Sequence, residues 1–416
     1  MDRSRADILA ARNRLATQGW IARNAEAFRH LPPPAAEVWL GDEAGQAHAR
    51  CEAHPLAGAG WTLHPIGQSP QGRVDARWLD AADAAQRVEL FAGLPTLAGV
   101  DDAAPFAWAH RALCRRGLRL RIGGTPDADR GASDTVWLQL RHQPRSAVGA
   151  PLLVIDVLAG VHCVLVETHE RQGSGCKHPI VENLQVHVRL GVGAMLRHLR
   201  IAAPGPADRI AHHVHAGLGR GARYEQVLIA SGSSYHLQRN VIELHADQAV
   251  ASSAGLLLVA DAVLEHQARM SHGAARTAST IEDLVLASGA ARAVSNAHTR
   301  IAPGAAEAEV RQRLTGIPTS GQPKLVLRPH LEIHHDQVQA THGATWGALP
   351  EDALFYARQR GLDERAAHGL VVEGMAAALL QRCFGDDPLL ETLGIDGLLC
   401  SAVANHLAVG QTAGHA

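Results

Sequence analysis

The chain has 416 residues, 46% of them hydrophobic but only 4% aromatic, with 40 glycines and a formal net charge of −2. That length implies two or three structural units built on Leu, Val, Ile and Ala. The near-neutral charge excludes the basic excess of a nucleic-acid binder, the six scattered cysteines without a C-x-x-C pair exclude a disulfide-stapled domain, and no apolar run is long enough for a membrane helix.

The start, Met1 to Asp7, has no apolar stretch, so no secretory signal is expected and the chain reads as cytoplasmic and reduced. The composition of Asp7 to Ala16 and of Ala76 to Leu90 predicts helices. Leu31-Pro32-Pro33-Pro34 interrupts them, because proline fixes φ and removes a donor. His54-Pro55 and His64-Pro65 mark further breaks. Phe106 to Arg116 predicts another helix, with Gly117 as its stop. Residues 1–117 therefore read as a mostly helical region.

Near residue 118 the pattern changes to short β-type runs. Thr135–Leu140, Leu152–Leu158, His162–Thr168, Leu184–Leu190, Arg223–Ile229, Val241–His245 and Gly255–Val259 predict strands. Leu184 to Leu190 alternates apolar and polar residues, the period of a strand with one inward face. Glycine- or proline-bearing turns separate several runs, as at Gly191-Val192-Gly193 and Pro204-Gly205-Pro206. Many short strands suit a sandwich, a barrel or a β-solenoid, and no strict repeat decides among them. The predicted β unit covers 118–345.

Residues 346–416 return to helix. Pro350-Glu351-Asp352 opens a helix that stops at Gly361, with proline and acids in its first turn. Asp363 caps the next, in which Ala367, Leu370, Val371, Met375, Ala378 and Leu379 keep helical spacing to Gly385. Asp387-Pro388 opens a third short helix, and the last seven residues are expected to fray.

No P-loop, dinucleotide fingerprint, nucleophile elbow or H-E-x-x-H motif is present, so an enzyme reading has no motif to stand on. The cysteines do not form the closely spaced thiolate set of a stable iron–sulfur site. Cys163 reads as a small core residue, and Cys176 as part of a polar loop after Gly173-Ser174-Gly175. Histidines number 26. His213 and His215 would share one strand face, a geometry that can hold a metal. With no acid or thiol nearby in sequence, His212, His213 and His215 read instead as the polar outer face of a strand. The neighbours His334 and His335 would face opposite ways.

Residues 328–361 read RPHLEIHHDQVQATHGATWGALPEDALFYARQRG. A strand through Leu331 and Ile333, a turn at Thr341-His342-Gly343-Ala344-Thr345 and a helix through Leu354-Phe355-Tyr356 are predicted. This segment resembles the SufB/SufD family of iron–sulfur cluster assembly proteins. The matching residues are Pro329, Leu331-Glu332-Ile333, Asp336, Val338, His342-Gly343-Ala344-Thr345, Leu354-Phe355-Tyr356 and Arg360-Gly361-Leu362. Weaker likeness reaches back to about Arg239. His-Gly-Ala-Thr resembles the SufD branch. Ala340 stands where many relatives have Cys, and Gln337 where they have a second Asp.

The resemblance implies a right-handed parallel β-helix flanked by helical N- and C-terminal regions. It implies a non-catalytic scaffold with no permanently bound cofactor, on which a cluster is present only transiently. It also implies a SufB-like partner, a SufC-like ATPase bound near 346–385, and possible self-pairing when the chain is alone. His342 is the implied metal ligand at the SufB-facing seam, with Glu332 and His334 assisting. Leu354, Phe355, Tyr356 and Arg360 mark the partner-binding region. Read by themselves, Phe355 and Tyr356 suit core packing, and Arg360 suits capping of helix carbonyls. The rival readings are a carbohydrate-active enzyme on a β-helix and a purely structural solenoid; low aromatic content disfavours the first.

Overall fold

The computed structural model describes residues 3–41, 60–66, 73–95, 101–123, 135–144, 146–171, 178–385 and 388–412. Cys176 and the His54-Pro55 break lie outside them. The N-terminal third holds α1 (Arg3–Gln18), α2 (Ala36–Leu40), β1 (Trp61–Pro65), β2 (Val74–Asp80), α3 (Ala84–Leu90) and α4 (Ala104–Leu113). The strands continue with β3 (Arg116–Ile122), β4 (Val136–His142), β5 (Val148–Gly149), β6 (Leu152–Val157), β7 (His162–Glu170), β8 (Val181–Leu190) and β9 (Met195–Ala203). Then come β10 (Arg209–Leu218), β11 (Arg223–Ser231), β12 (Tyr235–Leu244), β13 (Val250–Ala260) and β14 (Val263–His272). The last strands are β15 (Ala278–Gly289), β16 (Arg292–Ile301), β17 (Ala308–Gly321), β18 (Lys324–Ile333) and β19 (Val338–Trp346). The tail is α5 (Glu351–Gln359), α6 (Glu364–Phe384), α7 (Pro388–Thr392) and α8 (Ile395–Thr412).

The strands alternate between two sheets, so the chain winds as a parallel β-solenoid. One sheet has the order β1-β4-β7-β9-β11-β13-β15-β17-β19 and the other β18-β16-β14-β12-β10-β8-β6-β3-β2. Among the described strands, β1 with β4 and β2 with β3, at the first coils, form the antiparallel pairings, and an isolated antiparallel bridge joins Ser233 to Val263. Met195 pairs with Arg223, Arg223 with Val250 and Val250 with Ala278, an advance of 27 or 28 residues per coil.

One corner of each coil explains why no repeat is legible. Gly193, Gly221, Gln248, Arg276 and Glu307 occupy equivalent corners, all with φ between 53° and 62°. Each donates its N–H to a carbonyl of the following coil, from Gly193 to Arg220 through to Glu307 and Gln337. Left-handed φ costs roughly 1–2 kcal/mol at a residue with a Cβ, yet the ladder bond holds Gln, Arg and Glu there. The backbone repeats while its signature glycine does not.

Between the sheets lies a core of Leu, Val, Ile and Ala, including Leu120, Leu140, Leu165, Val186, Val214, Leu228, Leu257 and Val285. The outer faces are covered as well. Helices α6 and α8 lay Val372, Leu379, Leu380 and Leu399 over Val227, Leu256 and Leu286 of the nine-stranded sheet. Phe28, Trp39 and Phe106 of the N-terminal region cover Ala211 and Leu237 of the other. Strands buried on both faces lose polar alternation, as in Gly255-Leu256-Leu257-Leu258-Val259.

Several expectations need correction. Ala76 to Leu90 is not one helix: β2 ends at Asp80, and α3 begins after Asp83, whose side chain accepts from Gln86 N at 2.9 Å. Helix α4 ends with Cys114 at its cap, and Gly117 lies in β3, where a Cβ would stand 2.7 Å from the Leu152 carbonyl oxygen. In the tail, the Asp363 side chain caps α6 by accepting from Ala366 N at 2.8 Å, as its position predicts. A fourth helix, α8, follows the left-handed Gly394 and runs to Thr412, through the start of the segment expected to fray. Among the described residues no helix is long and apolar enough to cross a membrane.

Candidate functional site

Two places concentrate chemistry. The first is the last coil, where β18 and β19 are the terminal strands of both sheets. Thr341 to Thr345, predicted as a turn, lies inside β19. His342 is in register with Gln312, whose side chain donates to Thr299 Oγ1 at 2.9 Å inside the solenoid. Strand alternation puts His342 on the same side as Ala340, which packs against the small cluster of Ile301, Ala305, Ala308 and Val310. His342 therefore faces into the open mouth of the last coil, and it is exposed.

Glu332 is the penultimate residue of β18 and points outward from the other sheet. It lies 3.3 Å from Arg300 and accepts from His334 Nε2 at 2.7 Å. That hydrogen bond, aided by Arg300, holds its carboxyl below the ordinary carboxylate range. His334 stands one residue past the strand end, where its backbone N–H extends the ladder to Ile301 O. The structure thus brings Glu332 and His334 together, while His342 sits in the opposite sheet.

Around this end the surface is apolar. Trp346, Phe355 and Tyr356 are 62%, 65% and 60% exposed, and Ile333 is 44% exposed. The core-packing expectation for Phe355 and Tyr356 is therefore wrong. Ala357 takes the buried position of α5, and Leu354 packs partly against the helical layer. Arg360 does not reach the helix carbonyls with its side chain; its guanidinium stacks 3.4 Å over the Tyr356 ring.

The second place is a polar cluster buried in the first coils, which sequence reasoning missed. Strands β4, β7, β8, β9, β10 and β12 direct His142, Glu167, His169, Glu182, His198, Arg200, His212 and Gln238 inward, all buried. Glu167 accepts from His169 Nε2 at 2.5 Å, His198 Nε2 at 2.8 Å and the Arg200 guanidinium at 3.2 Å. Glu182 accepts from His212 Nε2 at 2.9 Å and lies 3.4 Å from His142 Nδ1 and 3.7 Å from His169 Nδ1. Burial alone would raise both carboxyls. For Glu167, Arg200 and the two histidines more than reverse it; for Glu182, His142, His169 and His212 do so. Both stay well below the usual range. Burial lowers His169, but its hydrogen bonds and proximity to the two carboxylates raise it on balance. His212 is pushed down to about 3, first by burial and then by His169.

The outer-face reading of His212 and His213 is thus a correction. His212 points inward to Glu182, and His213 points outward but is sealed by Phe106 of α4, ring to ring at 4.9 Å. His215 shares the outer face and stacks on His187 at 5.1 Å. The signal for the interior cluster was present: Glu167 and His169 fall on the inward phase of an otherwise apolar strand. Cys163, on that same phase, is buried, and burial pushes its thiol up, as expected of a core cysteine.

The SufBD core domain of SUF-system iron–sulfur cluster assembly matches residues 141–375, from the first full coils into α6. The chain belongs to the SufBD family. It is 21% identical over 249 residues to the iron–sulfur cluster assembly protein SufD of Escherichia coli, covering 56% of this chain and 59% of that protein. It is 23% identical over 252 residues to an iron–sulfur cluster assembly SufBD family protein of Synechocystis, covering 58% and 54%. It is 22% identical over 254 residues to the chloroplastic protein ABCI7 of Arabidopsis thaliana, covering 58% and 51%. The chain thus spans between half and three fifths of the length of these SufBD relatives.

Proposed function

We propose that this SufBD protein is a SufD-type, non-catalytic scaffold that pairs with a SufB-like subunit through its last coil and carries a SufC-like ATPase on its C-terminal helices. The observation that supports this most is the open solenoid end. Among the described residues the two terminal strands have no partner on their outer edges at the same coil, beside exposed Trp346 and Ile333. An uncovered edge with apolar neighbours is a template for another chain. The segment that forms it, 328–361, is also the one that most resembles the family.

The chain carries no P-loop, so nucleotide chemistry belongs to the partner. Exposed Phe355 and Tyr356, with Arg360 stacked on the latter and Leu354 anchoring the helix, suit the ATPase-docking surface. ATP-driven approach of two ATPase subunits would strain the seam and open it. His342, facing the mouth of the last coil, would then offer a neutral imidazole to iron, a ligand of suitable softness. Glu332 and His334, on the outward side, would support the seam rather than join His342 around one ion. Ala340 withholds a thiolate, so remaining ligands would come from the partner. The iron–sulfur cluster is cargo here, passing through the complex. The scattered free cysteines among the described residues suit a reducing, cytoplasmic setting.

Co-expression with SufB-like and SufC-like chains should give one complex on size exclusion, and His342→Ala should lower cluster yield while the complex still assembles. A chain that persists as a lone species contradicts the pairing. An unchanged cluster yield removes His342 from ligation.

A further inference from the structure

We propose that the first coils of the solenoid hold a mononuclear divalent-metal site formed by His142, His169 and Glu182, suited to a borderline transition ion such as zinc or ferrous iron. The site is distinct from the open coil and uses none of the residues assigned to cluster assembly.

Strands β4, β7 and β8 supply one ligand each, and the three ligand atoms lie within 4.8 Å of one another. Bonds of roughly 2.0–2.2 Å around a tetrahedral ion set ligand atoms about 3.3–3.6 Å apart. Glu182 Oε2 stands 3.4 Å from His142 Nδ1 and Glu182 Oε1 3.7 Å from His169 Nδ1, so an ion would draw the two rings toward the carboxylate and close the widest ligand separation, at most 4.8 Å.

The tautomer of His169 argues for a cation. Glu167, an ionised carboxylate, accepts from His169 Nε2 at 2.5 Å, so Nε2 carries the hydrogen. In the neutral ring Nδ1 then carries a lone pair. That atom is buried, makes no hydrogen bond among the described residues, and faces a Glu182 oxygen at 3.7 Å. An imidazole lone pair and a carboxylate oxygen that converge in a dry interior are the donor arrangement a divalent cation takes up. At 3.7 Å the two atoms are too far apart for a direct hydrogen bond and close to the spacing of two ligands on one ion.

The surroundings have the form that metal sites use. The carboxylate–histidine pair Glu167–His169 fixes ring orientation and raises ligand basicity. His212 Nε2 donates to Glu182 at 2.9 Å and is itself held by Gln238, which orients the carboxylate. Arg200 anchors Glu167. Beside the ligands is a cavity of about 20 Å³, enough for one water as a fourth ligand. Two imidazoles and one carboxylate form a borderline set, which selects against magnesium and calcium.

The test is titration of the chelator-stripped full chain with cobalt(II) alone, read by visible absorption, followed by zinc(II) back-titration. One tightly held equivalent with a low-symmetry d–d band, displaced by zinc, is expected. Glu182→Gln should abolish the band, Glu167→Gln should weaken binding about 10–100-fold, and His342→Ala should leave it unchanged. Circular dichroism of the stripped variants separates loss of the ligand from loss of the fold. The proposal is overturned by a wild-type chain without the band, by a band that survives Glu182→Gln, or by one lost in His342→Ala. The wild-type and His342→Ala arms decide even if the interior variants do not fold.

Discussion

Replacing Glu265 by Gln should stabilise the chain in alkaline solution far more than in mild acid. Glu265 lies on the outward face of β14, buried beneath the N-terminal segment, whose Ala27 carbonyl accepts from Gln267 Nε2 at 2.6 Å. Its Oε1 accepts from Gln267 Nε2 at 2.8 Å, and its Oε2 has no hydrogen-bond partner among the described residues. Burial pushes the carboxyl up from 4.5 to about 8, and Gln267 and Arg239 offset only part of that. At neutral pH the folded chain therefore keeps a proton that the unfolded chain has lost. Between 4.5 and about 8 the folded state binds more protons, so stability falls as pH rises through that window and levels off above it. At 1.36 kcal/mol per pH unit, the gap corresponds to roughly 5 kcal/mol, an upper bound because the site relaxes. Gln removes the slope and costs about 1 kcal/mol for an imperfectly paired amide. Urea unfolding followed by circular dichroism at about pH 5 and about pH 8.5 should show the advantage of Glu265→Gln growing by about 2–4 kcal/mol. Parallel pH profiles for the two proteins would refute the reasoning.

Arg200→Met leaves the Glu167 carboxylate without its guanidinium in the dry interior and should cost about 3–5 kcal/mol in the same assay; adding Glu167→Gln should restore part of it, since the uncompensated charge is then gone. Gln248→Gly should raise stability by about 0.5–1 kcal/mol by relieving a left-handed corner, whereas Gly221→Ala should lower it by a similar amount in thermal melts. Phe355→Ala combined with Tyr356→Ala should change stability by less than about 1 kcal/mol, because both side chains are largely exposed, yet weaken capture of the ATPase partner in a pull-down.

The sequence was most legible where local chemistry decides. Asp363 reads as a cap because its side chain can only serve the next three residues, and Gly361 and Gly385 stop helices through their left-handed φ. The coil repeat was hidden because its diagnostic corner carries Gly, Gly, Gln, Arg and Glu in successive turns, all in one backbone conformation. The run Ala76 to Leu90 misled because alanine favours helix while pairing of β2 with β3 decides the first half. The turn expected at His342 is a strand for the same kind of reason: Gly343 suggests a turn, but the ladder to β17 overrides it. Strand phase marks Glu167 and His169 as inward, but the full membership of the interior cluster needed three-dimensional knowledge. His142, His169 and Glu182 are separated by 27 and 13 positions in the chain, and only stacking of the coils brings them together. Likewise, nothing local distinguishes the inward His212 from the outward His213, because both faces of β10 are covered.

The proposed function requires the last coil to be a docking edge for a second chain. Hydrogen exchange of the Val338–Trp346 amides, measured with and without a SufB-like partner, tests this directly. Clear slowing of exchange along that strand, with His342 among the protected positions, is the predicted result. A complex that forms while these amides exchange as they do in the isolated chain would contradict it.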